Sequence, residues 1–203
     1  MSSRDPSDLV LASASSARAR LLAAAGLSFR VSPAAVDEAA LKSALLAERA
    51  TPRDIADKLA ETKAVKVSRR CPGALVIGAD QVLAAEGRLF DKPRDRAAAA
   101  DQLRALRGRT HRLLSAAVIA RDGAPLWRHV GQAELTMRAF SDAFIESYLD
   151  AEGDGVLQSV GAYRIEGRGV QLFSRVRGDL FTIQGMPLIE MLDFLRHHGI
   201  CAR

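Results

Sequence analysis

The residues of this chain that could take part in chemistry stand at or near the ends of its predicted strands and helices. Asp80 follows the apolar run Leu75–Ile77, and Lys63 lies on the predicted helix before that run. The polar candidates are Ser13, Ser15, Arg18, Glu38, Lys63, Asp80 and Lys92. A triphosphate with a divalent metal suits this mixture, because carboxylates are hard oxygen ligands and Arg or Lys neutralise phosphate charge.

Asp80 is unusual because it ends a segment that is typical of a strand buried on both faces. In open α/β sheets, ligands bind outside the carboxyl ends of the strands. We therefore expect Asp80 to be a functional group at a strand end. The alternative is a turn aspartate that caps its own backbone.

Lys63 occupies a position where an apolar residue is expected. Thr51 as N-cap and Pro52 at the first position predict a helix that runs to about Ser68. The buried stripe of this helix follows a four-residue spacing and contains Ile55, Leu59, Lys63 and Val67. Lys63 is then either a functional cation or a lysine that snorkels from the edge of the stripe to water.

Strands and helices alternate along the chain. The predicted strands are Leu9–Ser13, Phe29–Ser32, the segment ending at Asp80, a hairpin over residues 81–90 that turns at Glu86–Gly87, His111–Arg121, Leu126–Arg138 and Val170–Val176. The predicted helices run from Ser16 to the Gly26 cap, over Leu41–Glu48, from Pro52 to Ser68, over Arg96–Arg107, from Ser141 to Asp150 and over Pro187–His197. Residues 33–38 are predicted as a loop, and residues 153–169 as loop with a short strand. This order predicts a mixed-sheet α/β architecture.

Length and charge restrict the class of protein. The 203 residues suit one domain over residues 1–203. The net charge of +5 is spread along the chain, which favours phosphate-bearing small molecules at least as much as nucleic acid. The first residues are polar and no apolar run approaches a membrane span, so we expect a cytoplasmic protein with no membrane association. Cys71 and Cys201 lack metal-ligand spacing and are expected to be reduced.

An ordered series of motifs resembles the Maf family of nucleoside triphosphate pyrophosphatases over nearly the whole chain. LASASSARARLL (Leu11–Leu22) is similar to the family signature LASxSPRRxxLL. Further similar segments are VDE (Val36–Glu38), LAETKA (Leu59–Ala64), IGADQV (Ile77–Val82), KP (Lys92–Pro93), LRGRTH (Leu106–His111), GAYRIEG (Gly161–Gly167) and GMPL (Gly185–Leu188). Because the segments keep their order, the set is more specific than any one motif.

The resemblance implies a mixed twisted sheet with flanking helices, in two lobes around a cleft as in inosine triphosphate pyrophosphatases, and usually a homodimer. It implies hydrolysis of a nucleoside triphosphate to the monophosphate and pyrophosphate with Mg²⁺ or Mn²⁺. Asp80 matches the catalytic aspartate, which accepts a proton from the attacking water near the metal. Glu38 matches a second carboxylate at the metal. The residues that match phosphate-binding positions are Ser13, Arg18, Lys63 and Lys92.

Gln81 and Glu166 resemble the branch of the family that acts on 7-methyl-GTP, whose motifs read SDQV and SEG. A carboxylate can accept hydrogen bonds from N1–H and the exocyclic amine of guanine, and N7 methylation makes the base cationic. We therefore expect 7-methyl-GTP as substrate, with both residues binding it. The alternatives are dTTP or UTP as substrate, and a Glu166 side chain that points to solvent and pairs with Arg164 or Arg168.

Three positions depart from the family pattern, since Ser16 replaces a proline, Ala17 an arginine, and Asp91 the glycine of GKP. A competing hypothesis from another class is a nucleic-acid-binding or division-regulating protein without catalysis. Binding alone does not require two carboxylates near phosphate, so Asp80 and Glu38 argue against it. We expect no stable nucleic-acid partner.

Overall fold

The computed structural model describes residues 8–202; residues 1–7, whose polar character supports the expectation of a cytoplasmic protein, and residue 203 lie outside this range. Within it, seven strands form one sheet. The strands are β1 (Leu9–Leu11), β2 (Arg30–Val31), β3 (Leu75–Ala85), β4 (Arg88–Phe90), β5 (Thr110–Arg121), β6 (Ala124–Met137) and β7 (Phe173–Arg177). Their order is β2-β1-β3-β5-β6-β7, and β4 pairs with β3.

The sheet combines parallel and antiparallel pairs. Strand β1 is parallel to both β2 and β3, whereas β3 with β4 and β6 with β7 are antiparallel. Parallel neighbours need a crossover connection, and helices follow β1 and β2 in the chain. The predicted α/β class with a mixed sheet and flanking helices is confirmed.

Helices and short 3₁₀ segments connect the strands. The α-helices are α1 (Ser16–Ala24), α2 (Glu38–Ala47), α3 (Pro52–Ser68), α4 (Arg96–Leu106), α5 (Asp142–Glu152), α6 (Leu180–Ile183) and α7 (Leu188–His197), and the 3₁₀ segments are Gly153–Gln158, Val160–Ala162 and Arg168–Leu172. Among residues 8–202, no helix has the length and apolar character needed to cross a bilayer.

Helix α3 begins where its sequence predicts. The Thr51 hydroxyl accepts a hydrogen bond from the Asp54 backbone N–H at 3.2 Å, and the Asp54 carboxylate accepts from the Thr51 N–H at 3.1 Å. Pro52 occupies the first turn, where its missing N–H has no helical partner to lose. The predicted start of α3 is confirmed, and the contacts that fix it are local.

Asp80 does not stand at the end of a strand, and this prediction is wrong. Strand β3 continues to Ala85, because it pairs first with β1 through Leu75–Ile77 and then with β4 through Leu83–Ala85. The predicted hairpin turn at Glu86 and Gly87 is confirmed, and both residues have positive φ angles. Asp80 therefore lies within β3, between the stretch paired with β1 and the stretch paired with β4.

Two other predictions require correction, and one helix was not predicted. Helix α2 begins at Glu38 instead of Leu41, because the Asp37 carboxylate accepts from the Ala40 N–H at 2.9 Å and caps it. Residues 153–169 contain 3₁₀ turns and no strand. The short helix α6 was not predicted, and its start depends on the Asp179 carboxylate, which accepts from the Thr182 N–H at 2.7 Å.

The chain divides into two compact units. The first contains the residues up to Gln81, Ser115–Gly131 and the residues from Gly185 onwards, and the second contains Val82–Leu114 and Gln132–Gln184. Buried residues that form the core of the second unit include Leu83, Leu103, Leu106, Leu113, Leu135, Tyr163 and Leu172. A smaller buried cluster in the first unit contains Val10, Ala12, Val67, Ala74 and Val76. The expectation of a single domain over residues 1–203 stays a prediction.

The core of the second unit contains a buried histidine. His111 is 1% exposed, and its Nε2 lies 2.8 Å from the Tyr163 hydroxyl oxygen. Within the described residues its Nδ1 is buried without a hydrogen-bond partner. Burial lowers the pKa of His111 from 6.5 to about 4, because the surrounding apolar residues disfavour the imidazolium.

We predict that His111 makes folding stability sensitive to mild acid. A lowered pKa in the folded state means that its contribution is complete above pH 6.5 and is lost as the pH falls towards 4. The full loss corresponds to about 3 kcal/mol. His111→Gln keeps a partner for the Tyr163 hydroxyl but does not titrate. Urea unfolding at pH 7.5 and 4.5 measures how far the free energy of unfolding falls between the two pH values. This decrease should be larger in the wild type than in the variant, and equal decreases would contradict the prediction.

Candidate active site

Lys63 joins two carboxylates in the first unit. Its Nζ lies 2.7 Å from Oδ1 of Asp80 and 2.9 Å from Oε1 of Glu38. Lys63 and Asp80 are 6% and 7% exposed, whereas about half of the Glu38 side chain is exposed. One ammonium group therefore lies between a buried carboxylate and a carboxylate that solvent can reach.

The buried stripe of α3 directs Lys63 towards β3. The apolar members of the predicted stripe are all buried, and they are Ile55, Leu59 and Val67. A snorkelling lysine would place its ammonium in water, but Nζ of Lys63 contacts the buried Asp80 instead. The structure thus excludes the snorkelling alternative.

Gly78 allows α3 to approach β3 closely enough for this contact. A Cβ at Gly78 would lie 2.2 Å from the Ala60 carbonyl oxygen and 2.5 Å from the Ala64 nitrogen, so a larger residue would push the helix away. Gly78 and Asp80 are two residues apart on a strand and share one face. Lys63 immediately precedes Ala64, and the glycine therefore brings Lys63 and Asp80 together.

Arg18 is fixed by hydrogen bonds to three groups of the first unit. Its Nη1 donates to the Ala79 carbonyl at 2.8 Å and to the Ser13 hydroxyl at 3.2 Å, and its Nε donates to the Gly185 carbonyl at 2.9 Å. These bonds anchor the guanidinium beside the residue that precedes Asp80. Its Nη2 takes part in none of them and can donate to an anion.

Ser13 and Ser15 organise the turn between β1 and α1. The Ser15 hydroxyl caps α1 and accepts from the Arg18 N–H at 3.4 Å, and the Ser13 hydroxyl accepts from the Ser15 N–H at 3.2 Å. Ser13 is buried, and its contact with the guanidinium of Arg18 ties the turn to the same group of residues.

Burial changes the pKa of the two most enclosed charged groups. It raises the pKa of Asp80 above the ordinary range, and the positive charges of Lys63 and Arg18 oppose this rise. It lowers the pKa of Arg18, and the negative charges of Asp80 and Glu38 oppose this. A carboxylate with a raised pKa is a stronger base in its ionised form, which suits proton transfer from water.

The two adjacent acids at the start of α2 have different partners. Asp37 caps α2, whereas Glu38 pairs with Lys63. Lys66, one helical turn beyond Lys63 on α3, donates to the Ala35 carbonyl and holds the loop against the helix. Of these two carboxylates, only that of Glu38 therefore contacts the Lys63 ammonium.

Gln81 is attached to the neighbouring strand β5. Its Nε2 donates to the Ser115 hydroxyl at 2.9 Å, and Ser115 is fully buried. Sequence reasoning missed Ser115, because only the pairing of β3 with β5 brings it to Gln81. Sequence reasoning also missed the contact of Gly185, in the GMPL segment, with Arg18. The φ of Gly185 is 103°, which favours glycine at this position.

The predicted site residues fall into both units. Ser13, Arg18, Glu38, Lys63, Asp80 and Gln81 belong to the first unit, and Lys92 and Glu166 belong to the second. Lys92 is exposed and follows β4. Glu166 accepts a hydrogen bond from Arg164 Nε at 3.5 Å, so the ion pair that the sequence left open as an alternative is present.

The sequence matches a known protein family over nearly its whole length. A family model described as Maf-like protein matches residues 8–198. A nucleoside triphosphate pyrophosphatase of Paramagnetospirillum magneticum is 56% identical over 94% of this chain and 98% of its own length. A nucleoside triphosphate pyrophosphatase of Caulobacter vibrioides is 55% identical over 94% of this chain and 96% of its own length. Nucleoside triphosphate pyrophosphatase 1 of Jannaschia sp. is 53% identical over 97% of this chain and 99% of its own length. With a match of this extent, the chain belongs to the Maf family.

Proposed function

We propose that this chain hydrolyses a nucleoside triphosphate to the monophosphate and pyrophosphate. The observation that carries the proposal is the Lys63 ammonium held between the carboxylates of Asp80 and Glu38. Relatives more than half identical over nearly their whole length are named nucleoside triphosphate pyrophosphatases, which supports the same reaction class. The chain is accordingly a hydrolase that acts on acid anhydrides.

In this proposal, residues of the first unit have separate roles when water attacks the α-phosphorus. Asp80 accepts the proton of the water as the new P–O bond forms and the bond to the departing pyrophosphate breaks. Charge grows on the phosphate oxygens and on the leaving group, and Lys63 and Arg18 stabilise it from positions fixed before the reaction. Phosphate binding is also proposed for Ser13 and, separately, for Lys92.

The chemistry of the donor set fits a divalent cation. The carboxylates of Asp80 and Glu38 are close neighbours, because each of them contacts the Lys63 ammonium. Among residues 8–202, no group of three or more His, Cys, Asp or Glu could hold a metal by itself. Mg²⁺ commonly uses one or two carboxylates together with substrate phosphates, so Asp80 and Glu38 would hold Mg²⁺ or Mn²⁺ jointly with the nucleotide. A cation bound there would neutralise charge on the triphosphate.

For the base, we propose 7-methyl-GTP, recognised by Glu166 with Gln81 as a further contact. A carboxylate satisfies the two adjacent donors of guanine and favours the positive charge of the methylated base. Glu166 pairs with Arg164 in the structure through Oε1, so part of its negative charge is already neutralised. This observation favours the second candidate substrates, dTTP and UTP, for which no carboxylate partner is needed.

The resemblance also supports a homodimer that acts in the cytoplasm, where nucleoside triphosphates are found. Analytical ultracentrifugation tests the dimer directly, with a mass of twice 21.8 kDa expected. A single species of 21.8 kDa at micromolar concentration would contradict it.

A panel of nucleoside triphosphates tests the proposed function and its base preference together. Pyrophosphate release should be fastest with 7-methyl-GTP among 7-methyl-GTP, GTP, dTTP, UTP and CTP with Mg²⁺. Glu166→Gln should reduce the preference for 7-methyl-GTP over UTP by about tenfold, because a neutral amide loses one acceptor and the charge. A preference for UTP in the wild type, or an unchanged preference in the variant, would contradict the role of Glu166 without affecting that of Asp80.

A further inference from the structure

Gln102 on α4 connects two segments of the second unit that are far apart in the sequence. Its Nε2 donates to the Asp91 carbonyl at 2.8 Å, and its Oε1 accepts from the Gly161 N–H at 3.2 Å. The orientation of the amide follows from these partners, because a carbonyl only accepts and a backbone N–H only donates.

The first of these bonds acts on the residue before Lys92. The Asp91 carbonyl belongs to the planar peptide group that joins Asp91 to Lys92, so the bond fixes the plane from which the Lys92 side chain departs. Residues 91–93 belong to no helix or strand. Their backbone is therefore not restrained by regular secondary structure, and side-chain contacts such as that of Gln102 restrain it.

The second bond acts at the start of the segment that carries Glu166. Gly161 has a φ of 79°, and a Cβ there would lie 2.6 Å from Leu83 Cδ1 and 2.7 Å from Tyr163 Cε1. Beyond this turn, the Tyr163 hydroxyl lies 2.8 Å from Nε2 of His111. Gln102 thus contacts the start of the segment at Gly161, and His111 contacts the same segment two residues later, at Tyr163.

We propose that Gln102 is a positioning residue that holds Lys92 and the segment of Glu166 in fixed places relative to each other. This inference rests on the proposed function, in which Lys92 binds phosphate and Glu166 the base. Gln102 acts through those two residues and not on the reacting atoms. Its loss should therefore weaken binding of the triphosphate and leave the chemical step almost unchanged.

Two substitutions separate the two bonds. Gln102→Glu retains an acceptor for the Gly161 N–H but loses the donor to the Asp91 carbonyl, and Gln102→Met loses both bonds. We expect both variants to raise KM for the triphosphate by about tenfold and to change kcat by less than about twofold. Protection of the Gly161 amide from hydrogen exchange, followed by NMR, should fall in Gln102→Met and persist in Gln102→Glu.

The matched control is Gln171→Glu, which makes the same change at an exposed position of the same unit and should leave KM unaltered. In a Lys92→Ala background, Gln102→Glu should add little to the raised KM, because the two changes act on one interaction. If the wild-type chain is active, either of two results overturns the inference. The first is a wild-type KM in both Gln102 variants, and the second is full additivity of the effects of Gln102→Glu and Lys92→Ala on KM. A wild-type chain that releases no pyrophosphate from any triphosphate overturns the proposed function itself.

Discussion

Replacing Asp80 by asparagine should lower kcat for pyrophosphate release by about 10³-fold. Asparagine has the same shape but cannot accept the proton of the attacking water. The fold should persist, because Lys63 keeps its second partner, Glu38, at 2.9 Å. The measurement is the rate of pyrophosphate release at saturating triphosphate, with far-ultraviolet circular dichroism as the check on folding.

Asp37→Asn is the matched control for this substitution. Asp37 caps α2 beside Glu38, and asparagine is an equally good N-cap, so this variant should keep wild-type kcat. A folded Asp80→Asn protein with kcat within tenfold of the wild type would contradict the assignment of Asp80 as the base.

Lys63→Met should destabilise the protein by about 3–5 kcal/mol and abolish activity. The methionine fits the apolar stripe of α3 but leaves the buried Asp80 carboxylate without the ammonium that lies 2.7 Å away. The free energy of unfolding from urea titrations measures the effect. Mg²⁺ should restore part of the lost stability, since a cation between Asp80 and Glu38 replaces the missing charge.

Lys58→Met makes the same change on the same helix at a half-exposed site. Lys58 lies 3.7 Å from Glu61, and this substitution should change stability by less than about 1 kcal/mol. In an Asp80→Asn background, Lys63→Met should destabilise the protein much less than in the wild type. Equal destabilisation in the two backgrounds would show that the ion pair does not determine the effect.

Local sequence signals were sufficient for the elements that depend on neighbouring residues. The start of α3 follows from Thr51, Pro52 and Asp54, which interact within a single turn. The stripe of α3 follows from its four-residue spacing, and Lys63 is buried in it, which is one of the two outcomes that the spacing left open. The turn at Glu86–Gly87 follows from the same kind of short-range chemistry.

Contacts between distant segments could not be obtained in this way. The length of β3 depends on two different partner strands, and Asp80 therefore lies within the strand and not at its end. Nothing in the sequence indicated that Gln102 connects Asp91 with Gly161, two residues that are distant from it along the chain. Such contacts depend on which side chains the folded chain brings within hydrogen-bond distance.

Hydrolysis in ¹⁸O-labelled water tests most directly whether this chain attacks the α-phosphorus with Asp80 as base. Mass spectrometry of the products should find one ¹⁸O atom per turnover in the nucleoside monophosphate and none in pyrophosphate, at a rate about 10³-fold lower in Asp80→Asn. Label in pyrophosphate, release of orthophosphate, or equal rates of labelling in wild type and variant would contradict the account.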